Sequence, residues 1–243
     1  TPRRLGAFRF SILGVAFALS ACASAQMPDE NLNAERPIPA AESPWLEQLT
    51  WMEIRDEIAA GTTTVIIPTG GIEANGPYLS TGKHNLILEA ICPAIVEELG
   101  DALCAPIVKF VPEGSIDPPS GAMLYPGSIS VSDETYVALL DDIAGSLKQA
   151  GFTDIVLIGD SGGNQQGMQT VARRLNERWS EDAARAHFIV DFYSPGWEDT
   201  ERYTEQVLGV AETRSFSASA TGWPSRSALR SAPDTSIILR ISE

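Results

Sequence analysis

The chain has little positive charge and almost no histidine. Its 243 residues carry 17 Lys and Arg against 32 Asp and Glu, with 2 His, for a formal charge of −15. Such a surface repels phosphate backbones and anionic headgroups, which sets aside nucleic acid and anionic membranes as partners. No C-x-x-C or H-x-x-x-H pair occurs, so local spacing fixes no metal site. Dinucleotide, nucleotide and haem fingerprints are missing as well. There is no internal repeat, and the apolar run at 10–19 is too short to span a bilayer. What remains is an ordinary globular composition, 44% apolar and 20% charged, at a length that suits one large domain.

The short apolar run has its own reading. Arg3, Arg4 and Arg9 form a basic region before it, and Leu19-Ser20-Ala21-Cys22 follows it. This pattern is expected of an export signal over residues 1–26. The last four residues resemble a bacterial lipobox, with Cys22 as the lipidated residue. Cleavage after Ala23-Ser24-Ala25 would instead release a soluble periplasmic chain. Two further cysteines, Cys92 and Cys104, are compatible with a disulfide in an exported protein or with two buried thiols.

Beyond the signal, residues 27–44 read as a Pro/Ala-rich linker. Residues 45–211 read as one α/β domain, and 212–243 as an atypical Ser/Ala/Arg tail with too little to bury to become ordered. Within the domain, apolar residues at helical spacing predict helices over 45–60, 86–99, 133–150, 165–179 and 201–210. Ser132 is set to cap the third of these, and Gly61 and Gly151 to stop two of them. β-branched and apolar runs predict strands at 64–68, 104–111, 154–159 and 188–192, with a weak one at 236–239. Strands alternating with helices imply a mostly parallel sheet covered by helices on both faces.

In such sheets ligands sit beyond the carboxyl ends of the strands. Two loops there carry chemistry. Glu73, Asn75 and His84 follow the strand at 64–68, while Asp160, Ser161 and Asn164 follow the strand at 154–159. Gly159-Asp160-Ser161-Gly162-Gly163 matches the nucleophile segment of trypsin-like proteases, but those are all-β. It also satisfies G-x-S-x-G, yet the only later histidine, His187, opens the next strand instead of lying in a late loop. A third reading lets Glu73, His84 and Asp160 meet at a divalent ion, since hard and borderline ions accept carboxylate and imidazole together.

Three segments in order resemble the creatininase (creatinine amidohydrolase) family: Glu73-Ala74-Asn75-Gly76-Pro77-Tyr78-Leu79-Ser80 with His84 beyond, Tyr125-Pro126-Gly127-Ser128-Ile129-Ser130, and Gly159-Asp160-Ser161-Gly162-Gly163-Asn164. The stretch over which they fall in order, residues 65–174, is nearly half the chain. The resemblance implies a three-layer α/β sandwich and a metal-dependent hydrolase of cyclic amides or related C–N bonds, with Zn or Mn as cofactor. It places Glu73 on an unchanged ligand. Asn75 and Ser161 stand where the family has ligand histidines, and His84 stands where it has a bridging Asp.

The expected site is therefore a one-His, two-carboxylate set, Glu73, His84 and Asp160, suited to a single ion that activates a water. Glu113 or Asp117, on the long loop 112–127, is the expected general base. Ser161 and Asn75 are expected to orient water or substrate, and Tyr78, Asn164 and Trp197 to line the pocket. The rival reading is a small-molecule-binding protein of the same fold that has lost turnover. The resemblance further implies a homo-oligomer, with membrane contact only through a lipid anchor at Cys22.

Overall fold

A computed structural model describes residues 32–76 and 79–193, with Arg202, Tyr203, Gln206 and Val207 beyond them. The expected signal segment with Cys22, the site candidates Tyr78 and Trp197, the tail and the strand at 236–239 lie outside the described residues. So does most of the helix expected at 201–210, of which Arg202, Tyr203 and Gln206 are helical. The chain divides into two units, residues 1–37 and 38–243. Only residues 32–37 of the first are described, and the sheet and its helices all belong to the second.

The elements are α1 (Trp51–Ala60), β1 (Thr64–Thr69), α2 (Lys83–Leu99), β2 (Ala102–Cys104), α3 (Asp133–Ala150), β3 (Asp154–Gly159), α4 (Gln165–Arg178) and β4 (Arg185–Phe188). The four strands form one parallel sheet in the order β2-β1-β3-β4. A helix between successive strands returns the chain to the same end of the sheet, as parallel pairing requires.

Period-two burial explains the layers. Val65 and Ile67 of β1 and Ile155 and Leu157 of β3 face one side. There they meet Tyr136, Leu140, Ala144 and Leu147 of α3 and Met168, Val171 and Leu175 of α4, with Ile54 and Ile58 of α1 at the margin. Ile66 and Ile158 point the other way, onto Leu88, Cys92 and Ile95 of α2. The result is a three-layer sandwich with a mostly parallel central sheet. Full burial of such side chains contributes roughly 1.5–3 kcal/mol each.

Helix ends follow the sequence closely. Thr50 and Glu53 form a reciprocal capping box at the start of α1. Ser132 accepts the Thr135 N–H at the start of α3. Glu53 also accepts the Ala41 N–H at 2.5 Å, and Cys104 N–H donates to the Pro44 carbonyl at 2.7 Å. The end of the segment expected as a linker is therefore tied to the sheet.

Two strands differ from expectation. The strand expected at 104–111 is only Ala102–Cys104 and continues as single bridges at Val108 and Val111. Pro106 lacks the N–H that a ladder needs, so regular pairing stops there. The last strand runs over Arg185–Phe188, ahead of the expected 188–192, and a 3-10 turn at Val190–Phe192 follows it. Cys92 of α2 and Cys104 of β2 form a disulfide, with Cα atoms 6.2 Å apart, which decides between the two readings of this pair.

Candidate active site

β1 and β3 are neighbours, so the loops after Thr69 and Gly159 leave the sheet at one place. The first loop is held by its backbone. Asn85, in the first turn of α2, accepts the Gly71 N–H at 3.2 Å and donates to the Gly71 carbonyl at 2.9 Å. Glu73 N–H donates to the Thr81 carbonyl at 2.9 Å, and Ala74 N–H to Ser128 Oγ at 3.1 Å. The second loop is anchored by Asp160 N–H, which donates to the Thr69 carbonyl at 3.2 Å.

His84, on the first turn of α2, fills the gap between the loops and is 5% exposed. Its Nε2 lies 2.6 Å from Glu73 Oε1 and its Nδ1 2.7 Å from Asp160 Oδ2. Both partners are acceptors, so both ring nitrogens donate and the ring is an imidazolium. Burial alone would lower its pKa, but the hydrogen bonds to Asp160 and Glu73 outweigh it and hold the pKa above the ordinary value. Glu73 responds in the opposite sense. Burial pushes its carboxyl up, yet the hydrogen bonds from His84 and Glu113 hold it below the usual range.

Glu113 completes the cluster. Its N–H donates to Ser130 Oγ at 2.9 Å, and its side chain is buried against the loop at Gly71. Burial first, then the charge of Glu73 and a hydrogen bond to Glu73, push its pKa up to about 8. At neutral pH Glu113 keeps its proton and donates it to Glu73. Its Oε1 is buried with no hydrogen-bond partner among the described residues. Two carboxyl groups in contact thus take opposite protonation states.

The structure therefore brings Glu73, His84, Asp160 and Glu113 together. Asp117, the other candidate base, is exposed on the loop before Pro118. No hydrogen bond joins it to the cluster among the described residues, so of the two candidate bases Glu113 is the one that stands at the cluster. Asn75 donates to the Glu73 carbonyl at 3.1 Å and shapes its own loop. Asn164, expected to line the pocket, is fully buried instead. Its amide donates to the carbonyls of Thr69 and Gly70 and to Thr69 Oγ1 at 2.8–3.0 Å, tying the second loop to the end of β1.

Ser161 is buried beside Asp160. A serine-hydrolase reading would need an imidazole on it. His84 has both nitrogens on carboxylates, and His187 pairs with Asp154 at 2.9 Å, at the opposite end of β3. The chain has no other histidine, so that reading is corrected. The sequence reading missed Tyr193. It follows the 3-10 turn after β4, and its hydroxyl stands 3.1 Å from where a Cβ of Gly162 would lie. Burial, and then the charges of Asp160 and Glu73, raise its pKa, which places it at the cluster. Its position just past the neighbouring strand was the available signal.

The expected single-ion site meets an arrangement that does not suit it. The ligand candidates pair with one another around the His84 ring. Among the described residues, no three His, Cys, Asp or Glu side chains are grouped to hold a metal ion.

Comparison with known proteins gives a consistent picture. The family model described as creatininase, creatinine amidohydrolase, matches residues 47–220. A creatinine amidohydrolase of Pseudomonas putida is 27% identical over 118 residues, 49% of this chain and 45% of its own length. The chain thus matches less than half the length of that relative. A solved structure named creatininase Mn superposes with a TM-score of 0.53 at 24% identity, covering 61% of this chain and 58% of its own. A mutant creatininase of the Zn-Zn type superposes with a TM-score of 0.56 at 20% identity, covering 72% and 67%. Those likenesses carry the α/β fold, and the sequence match carries more: this chain belongs to the creatininase (creatinine amidohydrolase) family.

Proposed function

We propose that the chain hydrolyses a C–N bond of a small cyclic amide or related compound at the Glu73–His84–Asp160–Glu113 cluster. Family membership supports the reaction class. The observation that carries the reading is the acid–base pair: Glu113, protonated up to about pH 8, touching Glu73, held ionised by His84. One can give a proton to a leaving nitrogen, and the other can take one from water, which is the division of labour that amide hydrolysis needs. His84 and Asp160 fix the orientation of Glu73 and keep its charge. Tyr193 adds a hydroxyl donor beside the same acids.

The solved relatives are named for Mn and for Zn. An ion at this cluster would supply a more acidic water, but His84 would have to release at least one of its two carboxylates. As they stand, these residues do not fit such an ion.

A second reading, binding without turnover, is favoured by the same closure of the cluster around His84. Incubating the purified chain with creatinine and a panel of lactams, lactones and formamides, followed by NMR, separates the two. Ring-opened product that disappears in Glu73→Gln supports hydrolysis. Saturable binding with no product in any condition would move the assignment to the binding protein.

We also propose that the chain is exported and held at the membrane by a lipid on Cys22, and that it works as a homo-oligomer. The Cys92–Cys104 disulfide favours an oxidising compartment. Among the described residues, no helix is long and apolar enough to cross a membrane.

A further inference from the structure

His84 does more than join two loops. Zn²⁺ bound by carboxylate and imidazole sits about 2.0–2.2 Å from each ligand atom, so its ligands crowd around one point. Here the imidazole ring itself stands between Glu73 Oε1 and Asp160 Oδ2, with one nitrogen on each. No ring lone pair is left to face an ion. The two oxygens are held apart by the width of the ring.

The surroundings reinforce the closure. The ring is buried, so it has little room to swing aside. Glu73 cannot retreat easily, because its N–H is fixed to Thr81 and the next N–H to Ser128. Asp160 is fixed through its own N–H to Thr69. Asn75 donates to its own loop and offers no imidazole in its place.

We propose that the His84 side chain takes the place of the metal in this chain: it is the cation that holds the two strand-end carboxylates together and closes the cluster against divalent ions. The inference rests on reading this cluster as the functional site, but not on turnover, so the two can fail separately. The protein then folds and binds its small molecule without metal. Opening the cluster needs only the loss of this ring, which would leave Glu73, Asp160 and Glu113 facing one another across a space that favours a cation.

The test uses the full chain. Purified protein is incubated with Zn²⁺ or Mn²⁺ and dialysed, metal is quantified by mass spectrometry, and melting is followed with EDTA and with added metal. The expected wild-type result is substoichiometric metal and the same melting temperature in both conditions. His84→Asp is expected to reverse this, with a melting temperature that rises when Zn²⁺ or Mn²⁺ is added. A stoichiometric ion retained by the wild-type chain and lost in Glu73→Gln overturns the proposal. So does a folded His84→Asp variant indifferent to both metals. The wild-type measurement decides the matter alone if that variant fails to fold. Turnover is scored separately, so an inactive, metal-free chain would sink the hydrolase reading and leave this one standing.

Discussion

Gly159 of β3 pairs with Thr69 of β1, so the last residues of two neighbouring parallel strands stand side by side. Everything at the site depends on that register. The loops that carry Glu73 and Asp160 leave the sheet together, and one side chain, His84, reaches both. Slipping the register by one residue would exchange the side chains packed against the two helix layers and separate the loops.

The first prediction removes that side chain. His84→Ala leaves two partly buried carboxylates without their cation. Breaking a buried pair from one side costs about 3–5 kcal/mol. Urea denaturation at pH 6 should show a loss near that range, with His84→Gln losing less because an amide can still donate to one carboxylate. A variant as stable as wild type would mean the ring carries no structural load.

Much of this architecture was legible in the sequence. Val65, Ile66 and Ile67 announce a strand buried on both faces, and Ser132 announces the start of α3. The glycines and polar residues after two strands pointed to the place where Glu73, His84 and Asp160 meet. Their mutual arrangement was not legible. Whether an imidazole offers a lone pair to an ion or donates from both nitrogens depends on tenths of an ångström between loops far apart in the chain. Glu113 and Asp117 looked equivalent on one loop, and only the contact of Glu113 with Gly71 and Glu73 distinguishes them. Asn164 read as a pocket residue because it belongs to the strand-end loop that also carries Asp160 and Ser161. Its amide instead serves three acceptors at the end of β1, a demand set by the fold and invisible in local sequence.

The disulfide gives the second prediction. Cys92 and Cys104 are 12 residues apart and join α2 to the edge strand β2. A bridge closing a loop of this size contributes about 2–4 kcal/mol. At about 2–4 °C per kcal/mol for a chain of this size, Cys92→Ser with Cys104→Ser should melt roughly 4–16 °C lower. Dithiothreitol should lower the wild type towards the same value. An equal melting temperature with and without reductant would show that the bridge does not form in the purified protein.

The third concerns export. If Cys22 is lipidated, the chain expressed with its signal in a bacterium should sediment with membranes and take up labelled palmitate. Cys22→Ser should lose both properties. A wild-type chain found soluble in the periplasm and beginning at Gln26 would select the other cleavage site.

The last prediction traces the cluster through pH. Glu113 has a folded pKa of about 8 and an unfolded value near the ordinary 4.3. Between those values the folded state keeps a proton that the unfolded state has given up. By linkage, stability falls as pH rises across that window and levels off above it. His84, whose folded pKa is raised, acts in the same sense: its contribution is complete below about 6.5 and is lost as pH rises through the folded value. Glu73, with a lowered pKa, acts oppositely. Its contribution is complete above about 4.3 and is lost as pH falls through the folded value. The cluster is therefore most stabilising close to about pH 4.3, and melting temperature should decline from pH 5 to pH 8.5. Glu113→Gln keeps the shape and the donor of the protonated acid but cannot ionise. It should flatten the decline between pH 5 and 6.5, where Glu113 alone contributes the slope, and leave the part above 6.5 that belongs to His84. Melting curves of both proteins at half-unit pH steps give the comparison. Parallel profiles across the whole range would show that Glu113 is not held protonated, and the acid–base assignment at Glu73 and Glu113 would go with it.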